Sequence, residues 1–302
     1  MAKYDVLIIG AGPAGLTAAI YLARNNMDVA FIESYAPGGK IIEQSKIENY
    51  PGFDNITGPS LATHFYNQAT RNGASLIFGK AIKIISNGDF DKTVIMESGE
   101  EYHAKAIIIA TGMKNRIPSD IVNIEKFNHR GVSYCVLCDG VIFKNQPCAI
   151  IGGGNSAFEE SISLASLASE VHIFVRDGII AEKRLVDDVK KHSKIIVHEN
   201  SQVLELIGQD ELEAIKVNIN GEVSEMKIKG LFPYIGQLPA TDFLDKEILN
   251  ERKFIEVDHN METKIKNIFA AGDVVAKDVR QITTATSDGT IAAKTINSRI
   301  VK

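Results

Sequence analysis

A pattern of apolar strand, glycine-rich loop and helix occurs twice in this chain. The first loop, 10–15, follows the apolar run 4–9, and the second loop, 152–157, follows the run 147–151. A continuous apolar run is typical of a strand buried on both faces of a parallel sheet. Because the flanking elements match as well as the glycines, we interpret the two copies as a duplicated nucleotide-binding unit.

The first loop has the G-x-G-x-x-G pattern of dinucleotide binding. Gly10 makes the tight turn, Gly12 lets the backbone approach a pyrophosphate, and Gly15 lets helix and strand pack closely. A carboxylate about twenty residues further on holds a ribose in such units, and Glu33 ends the second predicted strand, 28–32. We therefore predict a dinucleotide at this loop.

The second loop, 152–157, fits the G-x-G-x-x-A variant but lacks the acid. The position that corresponds to Glu33 is Val175, which cannot hold a ribose hydroxyl. Arg176 could accept a 2′-phosphate and Asp177 a 2′-hydroxyl, so the phosphate preference stays open. Alternatively, both are solvated charges at the end of a strand.

One further strand and helix close the chain. A lone strand at 267–271 and its helix cannot bury their own apolar faces, so we predict that they return to the first unit. The predicted fold is α/β, with two Rossmann-like three-layer (β-β-α type) nucleotide-binding domains, the second inserted in the first. The predicted first domain is 1–113 with 242–302, and the second is 114–241.

The dithiol Cys135-Val-Leu-Cys138, with Asp139 directly after it, predicts redox chemistry. This spacing lets two thiols close a disulfide, and such pairs often contain one activated thiol. Asp139 can deliver or remove the proton that the exchange requires, or it is a turn residue before Gly140. With two nucleotide loops on the same chain, we predict an oxidoreductase that transfers electrons between a reduced nucleotide and a disulfide.

The remaining cysteine argues against a metal site. Structural zinc needs four Cys or His ligands at matched spacings, and Cys148 is the only other cysteine. Cys148 opens a predicted strand, where it fits as a small apolar side chain. We predict no metal.

Charge and hydropathy limit the partners. The chain has 33 Lys and Arg against 38 Asp and Glu, a net charge of −5, and no basic run, so neither nucleic acid nor a membrane is expected. No apolar run approaches the roughly 20 residues of a membrane helix. The N-terminus leads straight into a short strand, and we expect a cytoplasmic protein.

In this order the motifs resemble those of the low-molecular-weight thioredoxin reductases, which are class II flavin-dependent pyridine nucleotide-disulfide oxidoreductases. The resemblance covers essentially the whole chain. Besides the two loops and the dithiol, it rests on the segments 37–39, 48–53, 110–112, 131–135, 272–273 and 280–281.

The resemblance implies a homodimeric thioredoxin-disulfide reductase with FAD in the first domain and NADPH or NADH in the second. It also implies that Cys138 faces the flavin, Cys135 attacks the thioredoxin disulfide, and Asp139 is the acid/base. The residues predicted at FAD are Gly10, Gly12, Pro13, Ala14, Gly15, Glu33, Ser34, Gly38, Gly39, Lys40, Asn49, Ala110, Thr111, Gly112, Gly272, Asp273, Arg280, Gln281 and Ile282. Those predicted at the nicotinamide nucleotide are Gly152, Gly154, Asn155, Ser156 and Arg176.

Two departures from the family pattern bear on the electron donor and the flavin. NADPH-using members have a His-Arg-Arg run and one more arginine, where this chain retains Arg176, with Val175 at the histidine position and Ile180 at the final arginine position if one residue is deleted. Each lost charge-assisted contact costs roughly 1.5–3 kcal/mol, about tenfold to a hundredfold or more in affinity. Lys40 replaces the family's glutamine, and either lies near the flavin and alters its electronics or faces solvent.

These departures leave an alternative function open. The chain could be a related flavin dithiol reductase or oxidase that does not use NADPH. Such an enzyme would take electrons from another donor or pass them to oxygen.

Overall fold

A computed structural model describes residues 3–44 and 46–300 and divides them into two units, each with a sheet that contains parallel strands. Unit 1 comprises the described residues up to Lys114 together with those from Leu238 onward. Unit 2 is Asn115–Gln237, which therefore lies within unit 1 in the order of the chain. The boundaries predicted for the second domain are 114 and 241.

The elements follow in chain order. The strands are β1 (Lys3–Ile9), β2 (Val29–Glu33), β3 (Ser75–Phe78), β4 (Ala81–Gly88), β5 (Asp91–Met96), β6 (Glu101–Ile109), β7 (Met113–Asn115), β8 (Pro147–Ile151), β9 (Glu170–Val175), β10 (Ile195–Glu199), β11 (Ser201–Ile207), β12 (Ala214–Ile219), β13 (Glu222–Lys227), β14 (Gly230–Pro233), β15 (Gln237–Pro239) and β16 (Ile268–Ala270). The helices are α1 (Pro13–Ala23), α2 (Gly58–Arg71), α3 (Val136–Asp139), α4 (Asn155–Ala165), α5 (Lys183–Lys190) and α6 (Ile282–Arg299). Short 3₁₀ helices span Gly39–Glu43, Gly140–Phe143 and Lys246–Ile248.

The sheet of unit 1 has the order β3-β2-β1-β6-β5-β4, and β16 also pairs with β6. The first part of β6 pairs antiparallel with β5, and its last residues, 107–109, pair parallel with β16. The strands β1, β2, β6 and β16 are mutually parallel. Their carboxyl ends therefore meet at one edge of the sheet, which is where parallel sheets bind ligands.

The two faces of this sheet are covered differently. Val6 and Ile8 of β1 face a core made with the helices α1, α2 and α6. The alternate residues Leu7 and Ile9 face a second core that includes side chains of β5 and of the segment 243–257. Successive side chains of a strand point to opposite faces, so this alternation produces three layers.

Unit 2 has the same arrangement of a parallel sheet covered differently on its two faces. Its parallel sheet has the order β10-β9-β8-β14, and the antiparallel sheet β11-β12-β13 is separate. Ile150 and Ile173 pack toward α4 and α5, whereas Ala149 and Phe174 pack toward β11 and β12. The predicted α/β class with two Rossmann-like domains is confirmed.

The short strands β7 and β15 form a separate two-stranded sheet. None of the helices within residues 3–44 and 46–300 is both long and apolar enough to span a membrane.

Candidate active site

The first glycine loop is shaped by close backbone contacts. Gly10 has φ +106°, and a Cβ there would lie 2.3 Å from the carbonyl oxygen of Ala110. A Cβ on Gly15 would lie 2.0 Å from the carbonyl oxygen of Gly10. A Cβ on Gly12 would meet no atom within 4 Å. Gly10 and Gly15 thus close the strand–helix turn, while Gly12 adjoins open space that a ligand can enter.

Glu33 is bound to this loop. Its Oε2 accepts a hydrogen bond from the Ala11 N–H at 3.0 Å. Its Oε1 accepts from the N–H groups of Ser34 and Tyr35, at 2.8 and 2.9 Å. The carboxylate therefore holds the end of β2 against the loop. This is the position in which such an acid would bind a ribose.

The helix behind the loop has no side-chain cap. Gly12 is the N-cap of α1, and Pro13 occupies the first turn. By contrast, Thr57 caps α2 through a bond from the Ser60 N–H at 3.3 Å. The free N–H groups of the first turn of α1 and its positive dipole end are therefore available to a phosphate.

Residues 38–40 lie against the same loop. Gly38 donates its N–H to the Ala11 carbonyl at 2.7 Å. A Cβ on Gly39 would lie 3.1 Å from the Gly12 Cα. Lys40 is partly buried, and burial lowers its pKa while Glu43 and Asp273 oppose that shift. Its amine thus interacts with two carboxylates rather than with solvent alone.

Asp273, three residues after the end of β16, has a buried oxygen that lacks a hydrogen-bond donor. Its Oδ1 has no hydrogen-bond partner among the described residues. Burial raises the pKa of Asp273, against the opposing charges of Lys277, Arg280 and Lys40. A hydroxyl-bearing ligand would satisfy this oxygen.

Neighbouring side chains fix the turn that carries Asp273. The Asp288 Oδ2 on α6 accepts from the Gly272 N–H at 2.9 Å and from Lys277 Nζ at 2.5 Å. Arg280 donates from Nε to the Asp273 carbonyl at 3.2 Å, and its guanidinium lies 4.3 Å from the centre of the Phe254 ring.

Hydrogen bonds connect several of the remaining residues predicted at FAD to other parts of unit 1. The Asn49 amide donates to Gln281 Oε1 at 3.2 Å, joining positions 232 residues apart, and Gln281 caps α6. Thr111 donates its hydroxyl to the Ala240 carbonyl at 2.8 Å. Gly112 accepts from the Ala240 N–H at 3.0 Å. Ala14 and Ile282 belong to α1 and α6, and Ala110 directly follows β6.

The second loop repeats the backbone geometry. Gly152 has φ +147°, and a Cβ there would lie 2.4 Å from the Tyr234 carbonyl oxygen, while a Cβ on Gly154 would meet nothing within 4 Å. Gly154 is the N-cap of α4 without a side-chain cap, and Ser156 is exposed in the first turn. Asn155 is already engaged, because its Oδ1 accepts from the Glu182 N–H at 2.8 Å.

The charges beside this loop pair with each other. Arg176 donates from Nε to Asp177 Oδ2 at 2.8 Å, and both side chains are exposed. Val175 is only 1% exposed, and Ile180 is 85% exposed. Arg176 is the one arginine of the family pattern that this chain retains, and Asp177 partly neutralises its charge.

The redox pair forms a disulfide at the start of α3. Cys135 and Cys138 are bonded, with Cα atoms 5.3 Å apart. The Cys138 N–H also points at Cys135 Sγ, 3.0 Å away. Cys135 is partly buried and Cys138 is exposed. An N–H aimed at a sulfur stabilises the thiolate that reduction would form there.

Asp139 is held by a residue that the sequence reasoning missed. The Ser133 hydroxyl donates to Asp139 Oδ2 at 2.6 Å. Its Oγ also accepts from the Cys135 N–H at 3.2 Å. Ser133 belongs to the family segment 131–135, but its position in the sequence does not show that its hydroxyl reaches Asp139, so only the folded chain reveals this contact.

Cys148 takes no part in the pair. It is fully buried, and burial raises the pKa of its thiol to about 12. It packs in the apolar core beside α4, as expected for a small apolar side chain. Within the described residues, no group of three or more His, Cys, Asp or Glu side chains could hold a metal ion.

Comparison with known proteins decides the family. The sequence profile of the pyridine nucleotide-disulphide oxidoreductases matches residues 4–289. The chain is 49% identical over 301 residues to the thioredoxin reductase of Mycoplasmopsis pulmonis, covering 99% of this chain and 98% of that protein. The chain belongs to the thioredoxin reductase family.

Solved structures agree with this thioredoxin reductase assignment. A Lactococcus lactis thioredoxin reductase has a TM-score of 0.89 at 40% identity, with 98% of each chain covered. A T. acidophilum thioredoxin reductase has a TM-score of 0.89 at 32% identity, with all of each chain covered. The resemblance drawn from the motifs is confirmed, and the chain is an oxidoreductase. The binding role of each residue stays a prediction.

Proposed function

We propose that this protein is a thioredoxin-disulfide reductase that passes electrons from NADH or NADPH through FAD and the Cys135/Cys138 dithiol to thioredoxin. The observation that carries the proposal is the closed Cys135–Cys138 disulfide, with Asp139 fixed beside it, on the same unit as the second glycine loop. When bound, FAD accepts two electrons from the nucleotide and releases them to a disulfide.

The residues of unit 1 fit FAD. Open space at Gly12 and the uncapped start of α1 suit a pyrophosphate, and Glu33 suits the adenosine ribose. The unpartnered Asp273 Oδ1 suits a donor on the ribityl chain. Lys40, partly buried beside Asp273, would add a positive charge near this end of the cofactor.

The thiols have unequal roles in the exchange. The Cys138 N–H favours a thiolate at Cys135, which suits Cys135 for attack on the partner disulfide. Attack forms a mixed disulfide and releases one partner thiolate. Cys138 then attacks the Cys135 sulfur and displaces the partner, which reforms the internal disulfide and frees the second partner thiol. Two electrons pass to the partner, and Asp139 carries a proton of the exchange.

The surface next to the pair fits a protein partner. Leu137, Val141 and Ile142 follow Cys135 within seven residues and are 42%, 63% and 69% exposed. Such adjacent aliphatic side chains favour a partner that covers them while its disulfide approaches Cys135. We assign this patch to thioredoxin. The homodimer also stays a prediction, which sedimentation of the purified protein would test.

The charge pair at the second loop favours a second candidate. With Arg176 bound to Asp177 and Val175 buried, the site offers little to a 2′-phosphate. A related flavin dithiol reductase or oxidase that does not use NADPH would have this pattern.

Two measurements separate these candidates. In anaerobic titrations with NADH and then NADPH, a thioredoxin reductase of the proposed type bleaches its flavin with at least one nucleotide. No bleaching with either nucleotide, but bleaching by a different donor, would support the second candidate. Cys138→Ser abolishes thioredoxin reduction in the proposed mechanism, whereas Cys148→Ala, which changes the third cysteine, leaves it unchanged.

A further inference from the structure

Ser133 connects the sheet of unit 2 to the redox pair. Its N–H donates to the Leu231 carbonyl on β14 at 3.0 Å, and the preceding Val132 forms a parallel bridge with the same residue. The side chain is buried, with the residue only 6% exposed. The position of its hydroxyl is therefore set by the sheet and not by the single turn of α3.

The hydroxyl has two functions at this point. It accepts the Cys135 N–H at 3.2 Å, and its one proton has two possible acceptors. Asp139 Oδ2 lies at 2.6 Å and the Cys135 carbonyl at 3.4 Å. The shorter distance and the charge of a carboxylate both direct the proton to Asp139.

The hydrogen bond from Ser133 is the main side-chain contact of the Asp139 carboxyl group. Among the described residues, no Lys, Arg or His forms an ion pair with Asp139, and Ser133 is the side chain that hydrogen-bonds it. Because the two cysteines are joined in the disulfide, the nearest preceding titratable group along the chain is Tyr134, whose pKa is raised by burial. The Tyr234 hydroxyl contacts the start of α3 from β14's end, accepting the Val136 N–H at 3.4 Å.

We propose that Ser133 is a positioning residue of the dithiol exchange. One atom, Ser133 Oγ, hydrogen-bonds both the Asp139 carboxylate and the Cys135 backbone N–H. Asp139, the proton carrier, is therefore held in a fixed position beside the disulfide. The inference rests on the proposed function, and it adds a residue that acts through Asp139 rather than on the substrate.

The step affected is the resolution of the mixed disulfide. The Cys138 thiol gives its proton to Asp139 and attacks the Cys135 sulfur. The Cys138–Cys135 bond forms, the bond from Cys135 to the partner breaks, and the leaving partner thiolate receives the proton. The dithiol loses two electrons and the partner disulfide gains them, so atoms and charge balance.

Ser133→Ala tests the role. The holoenzyme is reduced with a small dithiol, freed of it, and mixed with thioredoxin or a small aromatic disulfide in a stopped-flow instrument. We expect the exchange rate to fall by about tenfold or more, because a positioned acid/base contributes at least that much. We also expect its pH profile to change shape and KM for thioredoxin to stay the same.

Matched variants separate positioning from structure. Ser161→Ala removes another buried hydroxyl of unit 2, which donates to the Phe158 carbonyl at 2.7 Å, and should leave rate and pH profile unchanged. Ser133→Thr keeps a hydroxyl, whereas Ser133→Val replaces it with a methyl group in a side chain of nearly the same volume. Thr is expected to retain the wild-type profile and Val to reproduce Ala, and this pair carries the test if the alanine variant does not fold.

A double-mutant cycle with Asp139→Asn completes the test. If Ser133 acts through Asp139, Ser133→Ala slows the Asp139→Asn enzyme by much less than it slows the wild type. An unchanged rate and profile in Ser133→Ala, an equal loss in both backgrounds, or an equal loss in Ser161→Ala would each overturn the proposal. If the wild type reduced the small disulfide but not thioredoxin, the proposed function would be overturned instead. The effect of Ser133→Ala would then still be measured with the small disulfide as the substrate.

Discussion

The two glycine loops have the same backbone geometry and different charged surroundings. Gly10 and Gly152 both have positive φ and abut a carbonyl oxygen, and both following helices start without a side-chain cap. Glu33 is tied to the first loop, whereas the corresponding Val175 is a buried core residue. We therefore expect pyrophosphate binding to depend on backbone shape, which both loops share, and ribose and phosphate selection to depend on side chains, which differ.

The largest expected effect comes from the shared backbone. Gly10→Ala and Gly152→Ala each place a Cβ within 2.4 Å of a backbone carbonyl oxygen at positive φ, which should cost about 3 kcal/mol or more. We expect Gly10→Ala to lose bound FAD. We expect Gly152→Ala to keep FAD and lose reduction by nucleotide. Flavin content and denaturant unfolding measure both outcomes.

Gly12→Ala and Gly154→Ala are the controls, because a Cβ at either position meets no protein atom within 4 Å. They should fold normally and weaken only the ligand of their own loop. If Gly154→Ala released FAD, the separate assignment of the two loops would be wrong.

A smaller effect is expected from the acid that only the first loop has. Glu33→Gln removes the charge that accepts from Ala11, Ser34 and Tyr35. Bonds to charged groups contribute about 1.5–3 kcal/mol, so the Kd for FAD should rise by roughly tenfold to a hundredfold. Titration of the apoprotein with FAD gives the Kd, and an unchanged value would show that Glu33 only orders the loop.

The charge pair of the second loop should respond weakly. Asp177→Asn frees Arg176 from an exposed partner, and exposed ion pairs contribute little, so NADPH affinity should rise by no more than about fivefold relative to NADH. Anaerobic flavin titration with each nucleotide measures the ratio. An unchanged ratio in both Asp177→Asn and Arg176→Ala would place Arg176 among solvated charges.

The smallest effect concerns the strands that follow the second loop. Burial and the stacked His172 lower the pKa of His198, whose Nε2 lies 2.9 Å from His172 Nδ1, with Glu170 3.5 Å from His172. Because the unfolded state then binds more protons, stability is complete above the ordinary value of 6.5 and falls as the pH drops from there toward the lowered folded value. Denaturant unfolding at several pH values should show this decline, and His198→Asn should flatten it.

Predicted strands that are buried on both faces agree with the structure best. The sequence predicts strands at 147–151 and 170–175, and they coincide with β8 and β9, because such apolar runs are typical of strands in a buried parallel sheet. Helix starts agree less well. The sequence pattern predicts helices over 16–24 and 158–167, but α1 and α4 begin at Pro13 and Asn155, since the glycine loops merge into the first turn.

Contacts between distant residues could not be read from the chain. The bond between Asn49 and Gln281 joins residues 232 positions apart. The proximity of Lys40 to Asp273 depends on β16 pairing with the end of β6 rather than with another strand. Both follow from strand order, which periodicity does not encode.

The sequence alone determined two nucleotide-binding loops, an inserted second unit and a dithiol with an adjacent acid, since these depend on residue types at short fixed spacings. Tertiary structure decided what holds those groups in place. Ser133 meets Asp139 and Cys135 because β14 anchors its backbone, and Asn49 meets Gln281 across 232 positions of the chain. Such contacts arise only when separate elements pack, because each requires a hydrogen-bond distance and an exposure that spacing along the chain does not specify.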